Sequence, residues 1–209
     1  MQQAKQTSTF EKKTKHMNTT ISVNEHLQKL ARQVAQQNEF LKSAVVTLPL
    51  SVLKTRPQPH KWHILECITH LNQYSAFYIP HLEKAAYQTK IKKNVPFKSG
   101  WLGNKFIKMM APENVKPQKT MKHTDTYEKP VSDNAVEEFL AWQERLLVAL
   151  SNLENTNLNK RKIPVEFFKL IKMKVGDALE FVIVHQQRHL NQIEKIVEGL
   201  AISERQESI

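Results

Sequence analysis

Glycine is scarce in this chain, with four residues in 209. Strand-like alternation is equally hard to find, and both shortages point to an all-helical fold. No glycine-rich loop is available to cradle a phosphate. The single cysteine, Cys67, excludes an intramolecular disulfide and a cysteine-cluster zinc site, and fits a reducing, cytoplasmic setting. No run approaches the ~18 apolar residues that a membrane-spanning helix needs. The first twenty residues, "MQQAKQTSTFEKKTKHMNTT", hold lysines but no apolar segment, so they do not read as a secretory signal. They read as a disordered polar tail, within which Met17 is an alternative start. Internal repeats and low-complexity runs are absent as well.

Acidic residues are outnumbered, 20 against 31 lysines and arginines, for a formal charge of +11. The excess is concentrated. Residues 84–129 carry +8 and residues 160–174 carry +5. Both stretches read as proline-interrupted connectors and not as one basic helix face. The expectation is therefore solvated loops, with no membrane partner and no specific nucleic-acid partner.

Four long segments repeat apolar residues at helical spacing. The first, about 22–48, carries Leu27, Leu30, Val34, Leu41 and Val45, with Asn24 placed to cap it and Pro49 to stop it. The second, about 61–90, carries Ile64, Cys67, Ile68, Leu71, Tyr74, Tyr78 and Leu82, and Pro80 should kink it or end its first part. The third, about 133–154, starts at a Ser132/Asp133 cap, and the fourth, about 176–202, opens at Gly176-Asp177. A connector of about twelve residues makes the first two antiparallel neighbours. About forty residues join the second to the third, a crossover with a short helix expected near 101–110. The expected layout is a polar tail at 1–20, one bundle domain at 21–203 and a C-terminal tail at 204–209.

The fourth segment contains "VIVHQQRHLNQIEKI", residues 182–196. At about 100° per residue His185 and His189 share one face, and Val182, Ile193 and Ile196 share it with them. Unpartnered imidazoles in an apolar seam cost about 1–3 kcal/mol per unsatisfied polar atom. A divalent metal accounts for them if another helix supplies a third ligand, and the second segment offers His70. Cys67, one turn from His70, reads as a thiolate ligand or as a small apolar side chain. His63 and His81 sit too far along the axis to share the ion. His16, His26, His60 and His123 read as surface groups. Asn38 and Gln143 interrupt the other stripes, either orienting ligand histidines or satisfying neighbouring groups. No H-E-x-x-H occurs, since Gln186 and Gln187 stand between the histidines. Glu66, one turn before His70, is the one carboxylate placed to accept a proton beside the site; the alternative is a solvent-exposed side chain.

"HKWHILECITHLNQYSAFYIPHL" (60–82), "FKSGWLGNKFIKMMAP" (97–112) and "GDALEFVIVHQQRHLNQIEKI" (176–196) together resemble the DinB-like (DinB/YfiT-like) metalloenzymes. The resemblance spans about 24–200. It implies an all-α four-helix bundle with a long crossover between helices 2 and 3, often assembled as a homodimer. It implies a divalent metal, zinc or nickel, on His70, His185 and His189. It also implies chemistry of the kind known in the family: thiol S-transfer with a low-molecular-weight thiol such as bacillithiol, or isomerisation.

Three readings follow for function. In the first, the metal activates a thiol that attacks a small electrophilic substrate, and Lys98 or Lys105 attracts the cofactor's carboxylates. In the second, the site is a metal-dependent hydrolase. In the third, the bundle is a non-catalytic binding or stress protein. If the triad is real, the three rings face a common point, because imidazole nitrogens about 2.0–2.2 Å from one ion lie roughly 3–3.5 Å apart.

Overall fold

The computed structural model describes residues 21–88 and 95–207; the polar tail expected at 1–20 lies outside them, as does His16. Four long helices form: α1 (Val23–Ala44), α3 (Ile64–Gln88), α5 (Ala135–Asn152) and α6 (Val175–Glu207). Two short ones, α2 (Leu50–Leu53) and α4 (Trp101–Met110), lie in the connectors. The short helix expected at 101–110 is α4. Helix α6 runs through the expected tail boundary to Glu207. Among the described residues no helix is long and apolar enough to cross a membrane.

Several boundaries differ from expectation for local reasons. Helix α1 starts after Ser22, not at an Asn24 cap, and ends at Ala44. Pro49 then serves as the residue before α2, where its fixed φ suits a helix start. Pro80 does not end α3, which is continuous past it. Asn134 precedes α5, and its N–H is held by the Ser132 hydroxyl at 3.2 Å.

Helix α1 packs on α5 and α6, and α3 packs on the same two. The spatial order is therefore α1–α5–α3–α6, with α1 and α3 diagonal to each other. The expected neighbour pairing of the first two helices is wrong. Residues 45–63, with α2 among them, take the chain across the bundle end.

The core has two apolar halves. One is built around Leu30, Val34, Tyr78, Leu82, Leu146 and Ile183; the other around Leu41, Ile64, Ile68, Phe139, Leu190 and Ile193. On three helices a fully buried glutamine marks the break: Gln37 on α1, Gln143 on α5 and Gln186 on α6. Gln143 Nε2 donates to Gln37 Oε1 at 3.3 Å. Gln37 Nε2 in turn reaches the Ile183 carbonyl at 3.0 Å and Gln187 Oε1 at 3.2 Å. The interruption in α1 is thus Gln37, and Asn38 is only half-buried beside it. Gln143 satisfies a neighbour.

The second basic connector is not a plain loop. It forms an antiparallel hairpin, β1 (Arg161–Val165) and β2 (Phe168–Lys174), with Arg161 opposite Lys174 and Val165 opposite Phe168. Ile163, Val165 and Met173 pack into the core, and Tyr78 Oη accepts the Glu166 N–H at 3.1 Å. This two-stranded ribbon is the whole of the sheet among the described residues, so the all-α bundle stands.

The crossover is fastened at Asp177. Its buried carboxylate accepts the Ser99 hydroxyl at 2.6 Å and the Gly100 N–H at 3.0 Å. It thereby caps the α4 N-terminus from another helix, where backbone N–H groups lack intrahelical partners. Gly103 allows the approach, because a Cβ there would lie 2.2 Å from Asp177 Cγ.

Candidate metal centre

Helix α3 opens with a reciprocal cap. The His63 N–H donates to Glu66 Oε2 at 2.9 Å, and His63 Nδ1 accepts the Glu66 N–H at 3.3 Å, the logic of a capping box. Arg56 grips the same carboxylate at 2.9 and 3.0 Å, and also donates to the Lys61 carbonyl. The Glu128 N–H adds a contact at 2.8 Å. This cluster fixes the entry of α3, and His70 follows Glu66 one turn later.

His70, on α3, meets His185 and His189, on α6, with the Nε2 atoms foremost. His70 Nε2 and His185 Nε2 are 3.3 Å apart, and His189 Nε2 and His185 Nε2 are 3.1 Å apart. All three candidate ligand atoms lie within 4.8 Å of one another. The separations match those of imidazoles sharing one ion. Hydrogen bonding alone does not explain them. His70 Nδ1 lies 2.7 Å from the Thr124 carbonyl, which only accepts, so Nδ1 carries the proton and Nε2 presents a lone pair. His189 Nδ1 is similarly directed at Gln192 Oε1, 3.2 Å away. Two lone pairs are thus aimed at His185 Nε2, whose single proton could satisfy only one of them, and the cluster is one that could hold a metal ion.

The rings are held neutral. Burial, first of all, pushes the His70 imidazolium down to about pKa 4, against a partial offset from its bond to Thr124. His185 is driven well below its ordinary value by burial and by the neighbouring imidazoles, and His189 moves in the same direction for the same leading reason. Neutral imidazole is the form that binds a metal.

Aromatic rings hem the triad in. Trp62 packs 5.0 Å from the His70 ring and 5.8 Å from that of His189, while Tyr74 lies 4.4 Å from His185. The site still opens onto a cleft of about 1110 Å³ lined by all three histidines. The crossover roofs it. Arg188, on α6 between His185 and His189, donates to the Ala111, Asn114 and Lys116 carbonyls at 3.3, 2.7 and 3.1 Å. His185, Arg188 and His189, close together on α6, therefore set the histidine-bearing wall and the roof together.

The family model described as the DinB superfamily matches residues 33–193. The chain belongs to the DinB superfamily. All three triad residues fall within the matched span. The superfamily is generally metal-binding, and the donor set fits that property. No curated protein and no solved structure matches the chain.

Against this superfamily frame the remaining candidate residues separate clearly. Glu66 is neither exposed nor at the triad: it is buried, bound by Arg56 and two backbone N–H groups, and absent from the converging ligand set. Lys98 and Lys105 are exposed and do not line the cleft. Lys105 instead lies 5.6 Å over the Trp101 ring. Cys67 is a buried apolar side chain whose thiol pKa burial pushes up. His26, expected at the surface, is buried 4.7 Å from the Phe97 ring. His60 is exposed as expected, and it also lines the cleft.

Lys61, Lys119, Lys195, Arg188 and Gln192 were not singled out from the sequence, yet all line the cleft. A signal existed for two of them. Arg188 follows His185 by three residues and Gln192 follows His189 by three, the spacing of helical neighbours.

Proposed function

We propose that this DinB-superfamily chain is a metal-dependent enzyme that transfers a low-molecular-weight thiol to a small electrophile. His70, His185 and His189 hold the divalent ion. The observation that carries the reading is the convergence of three neutral Nε2 atoms at the wall of a cleft, with no fourth side-chain ligand in the cluster among the described residues. A structural site is normally closed by four protein ligands, whereas a catalytic site keeps a position open. When bound, zinc or nickel there supplies positive charge that favours thiolate over thiol.

The surrounding residues favour a thiol over hydrolysis. Water attack calls for a proton acceptor, and no carboxylate lines the cleft among the described residues. Glu66 is consumed by Arg56 and two backbone donors. A thiol needs no strong base, since its ordinary pKa of about 8.5 lies close to neutral. Its proton passes to solvent, the sulfur forms the new bond to carbon, and the leaving group departs with the bonding pair. Thr124 and Gln192 keep the His70 and His189 rings oriented, and Trp62 shields that side of the site.

The test is metal analysis of untagged protein after chelation and reloading, followed by a thiol-conjugation screen. About one divalent ion per chain is expected, with His70→Ala and His185→Ala losing it equally although they lie on different helices. Undiminished metal content in His70→Ala overturns the metal assignment. Intact metal content with no thiol consumed across a range of electrophiles overturns the transferase.

A further inference from the structure

The cleft has a second chemical feature, one-sided charge. Lys61, Lys119, Lys195 and Arg188 line it, and no aspartate or glutamate does so among the described residues. Arg188 is committed to backbone carbonyls, which orient its charge without neutralising it. The three lysines form no ion pair among the described residues. They come from three separate segments. Lys61 precedes α3 and has its carbonyl held by Arg56. Lys119 lies in the roof, and Lys195 lies on α6.

Their placement relative to the triad is also informative. Lys195 follows Gln192 by three residues, and Gln192 is the hydrogen-bond partner of His189, so Lys195 continues the same side of α6. It begins about 9 Å along the helix axis from His189. The lining also includes apolar side chains, Trp62, Met109, Met110 and Phe167 among them. The three lysines are exposed at the cleft, and like charges gathered around one concavity repel. A cleft that gathers four cations is stabilised by an anion.

We propose that the cleft selects an organic anion, its carboxylate or phosphoryl group held by Lys61, Lys119 and Lys195, its apolar body against Trp62, and its reacting atom at the triad. Only the placement of the reacting atom rests on the metal-dependent reading. The anion site stands on the lysines alone, and it replaces Lys98 and Lys105 as the place where acidic oxygens are recognised.

Calorimetry with 4-phenylbutyrate, its neutral amide and phenyl phosphate tests this, using the protein as purified, after chelation, and as His70→Ala. At low salt the carboxylate should bind at least tenfold tighter than the amide in all three forms. That preference should shrink several-fold at about 0.3 M salt, as charge screening requires. It should vanish in Lys61→Gln/Lys119→Gln/Lys195→Gln, whose exposed substitutions leave the core untouched. Tighter phenyl phosphate binding assigns a phosphoryl ligand; tighter phenylbutyrate binding assigns a carboxylate. Equal binding of acid and amide overturns the proposal, as does a preference that survives the triple substitution or failure of both anions to bind. Loss of the preference on chelation alone assigns the anion to the metal and overturns the lysine site, while leaving the metal centre standing. Absence of metal with a retained lysine-dependent preference does the reverse.

Discussion

Acidifying the metal-free protein tests the buried triad directly. His70 carries the most tractable part, because burial lowers its pKa from 6.5 to about 4. A histidine depressed in the folded state binds more protons when unfolded, so its contribution to stability is complete well above pH 6.5. That contribution is lost as pH falls toward the folded value. Between pH 7.5 and pH 5 the loss from His70 alone is about 2 kcal/mol. With a urea slope of about 2–3 kcal/mol/M, that is a midpoint shift of about 0.8 M.

Other groups also have shifted pKa values, and not all with the same sign. His26 and His63 are depressed like His70, while Asp177 and Glu180 are raised by burial and oppose the slope. The decisive quantity is therefore the difference between wild type and His70→Phe, which keeps a ring but cannot titrate. Urea melts in chelator at pH 7.5 and pH 5 should show the wild type losing at least ~2 kcal/mol more than the variant, coupling to His185 and His189 adding to the His70 share. Saturating metal should raise wild-type stability at pH 7.5 by about 4 kcal/mol at a thousand times the dissociation constant, and should do little for the variant. Equal pH slopes in the two proteins, or a steeper one in the variant, refute the picture of a buried neutral His70.

Two further perturbations test the frame around the site. Gln186→Met should stabilise the metal-free protein by about 1–2 kcal/mol, since both polar atoms of the buried Gln186 lack partners; a destabilised variant in the same urea melts would mean that these atoms are hydrogen-bonded in solution. Arg56→Met should cost about 3 kcal/mol at pH 7, because it strands the buried Glu66 carboxylate. Glu66 has a lowered pKa, resisted by burial but carried by Arg56 and the backbone donors, so its contribution is present above pH 4.5 and fades below it. The variant's acid limb under pH 4.5 should accordingly be flatter, and an unchanged limb would remove Arg56 from that role.

The helices and the triad were legible because each leaves a periodic mark. His185 and His189 interrupt the seam of α6 at one-turn spacing, and no other residues of that helix compete for the position. The hairpin left a fainter mark. Its alternation is short, Pro164 interrupts it, and its turn is Glu166-Phe167, without the Asn or Gly that two-residue hairpin turns favour. Glu66 misled because position along a helix does not reveal what reaches it from elsewhere. Arg56 lies in the preceding connector, and nothing in the spacing couples the two. The partner of His70 is a backbone carbonyl, Thr124, which no side-chain pattern encodes. Lys61 and Lys119 are brought to the cleft by the two connectors that cross the bundle end and the cleft, so their spacing from His70 carries no period to read.

The charges in this half of the molecule form one arrangement. Three neutral imidazoles would leave the charge of a bound divalent ion uncompensated by its ligands. The acidic groups of this half have other partners, and Asp125, whose charge reaches His70, accepts the Tyr127 N–H. Glu66 closes the start of α3 with Arg56, Asp177 caps α4, and Glu166 pairs with His123. The cleft adds cations and, among the described residues, no acidic group. Whatever binds must therefore supply the negative charge itself, at the ion, at the lysines, or at both. A thiol that ionises at the triad and carries an acidic group toward Lys195 meets both requirements in one molecule. Water ionised at the ion would supply charge there but leave the lysines of the cleft without a partner when the substrate is neutral. The charge of the cleft and the absence of a carboxylate from its lining among the described residues thus both favour a thiol that carries an acidic group.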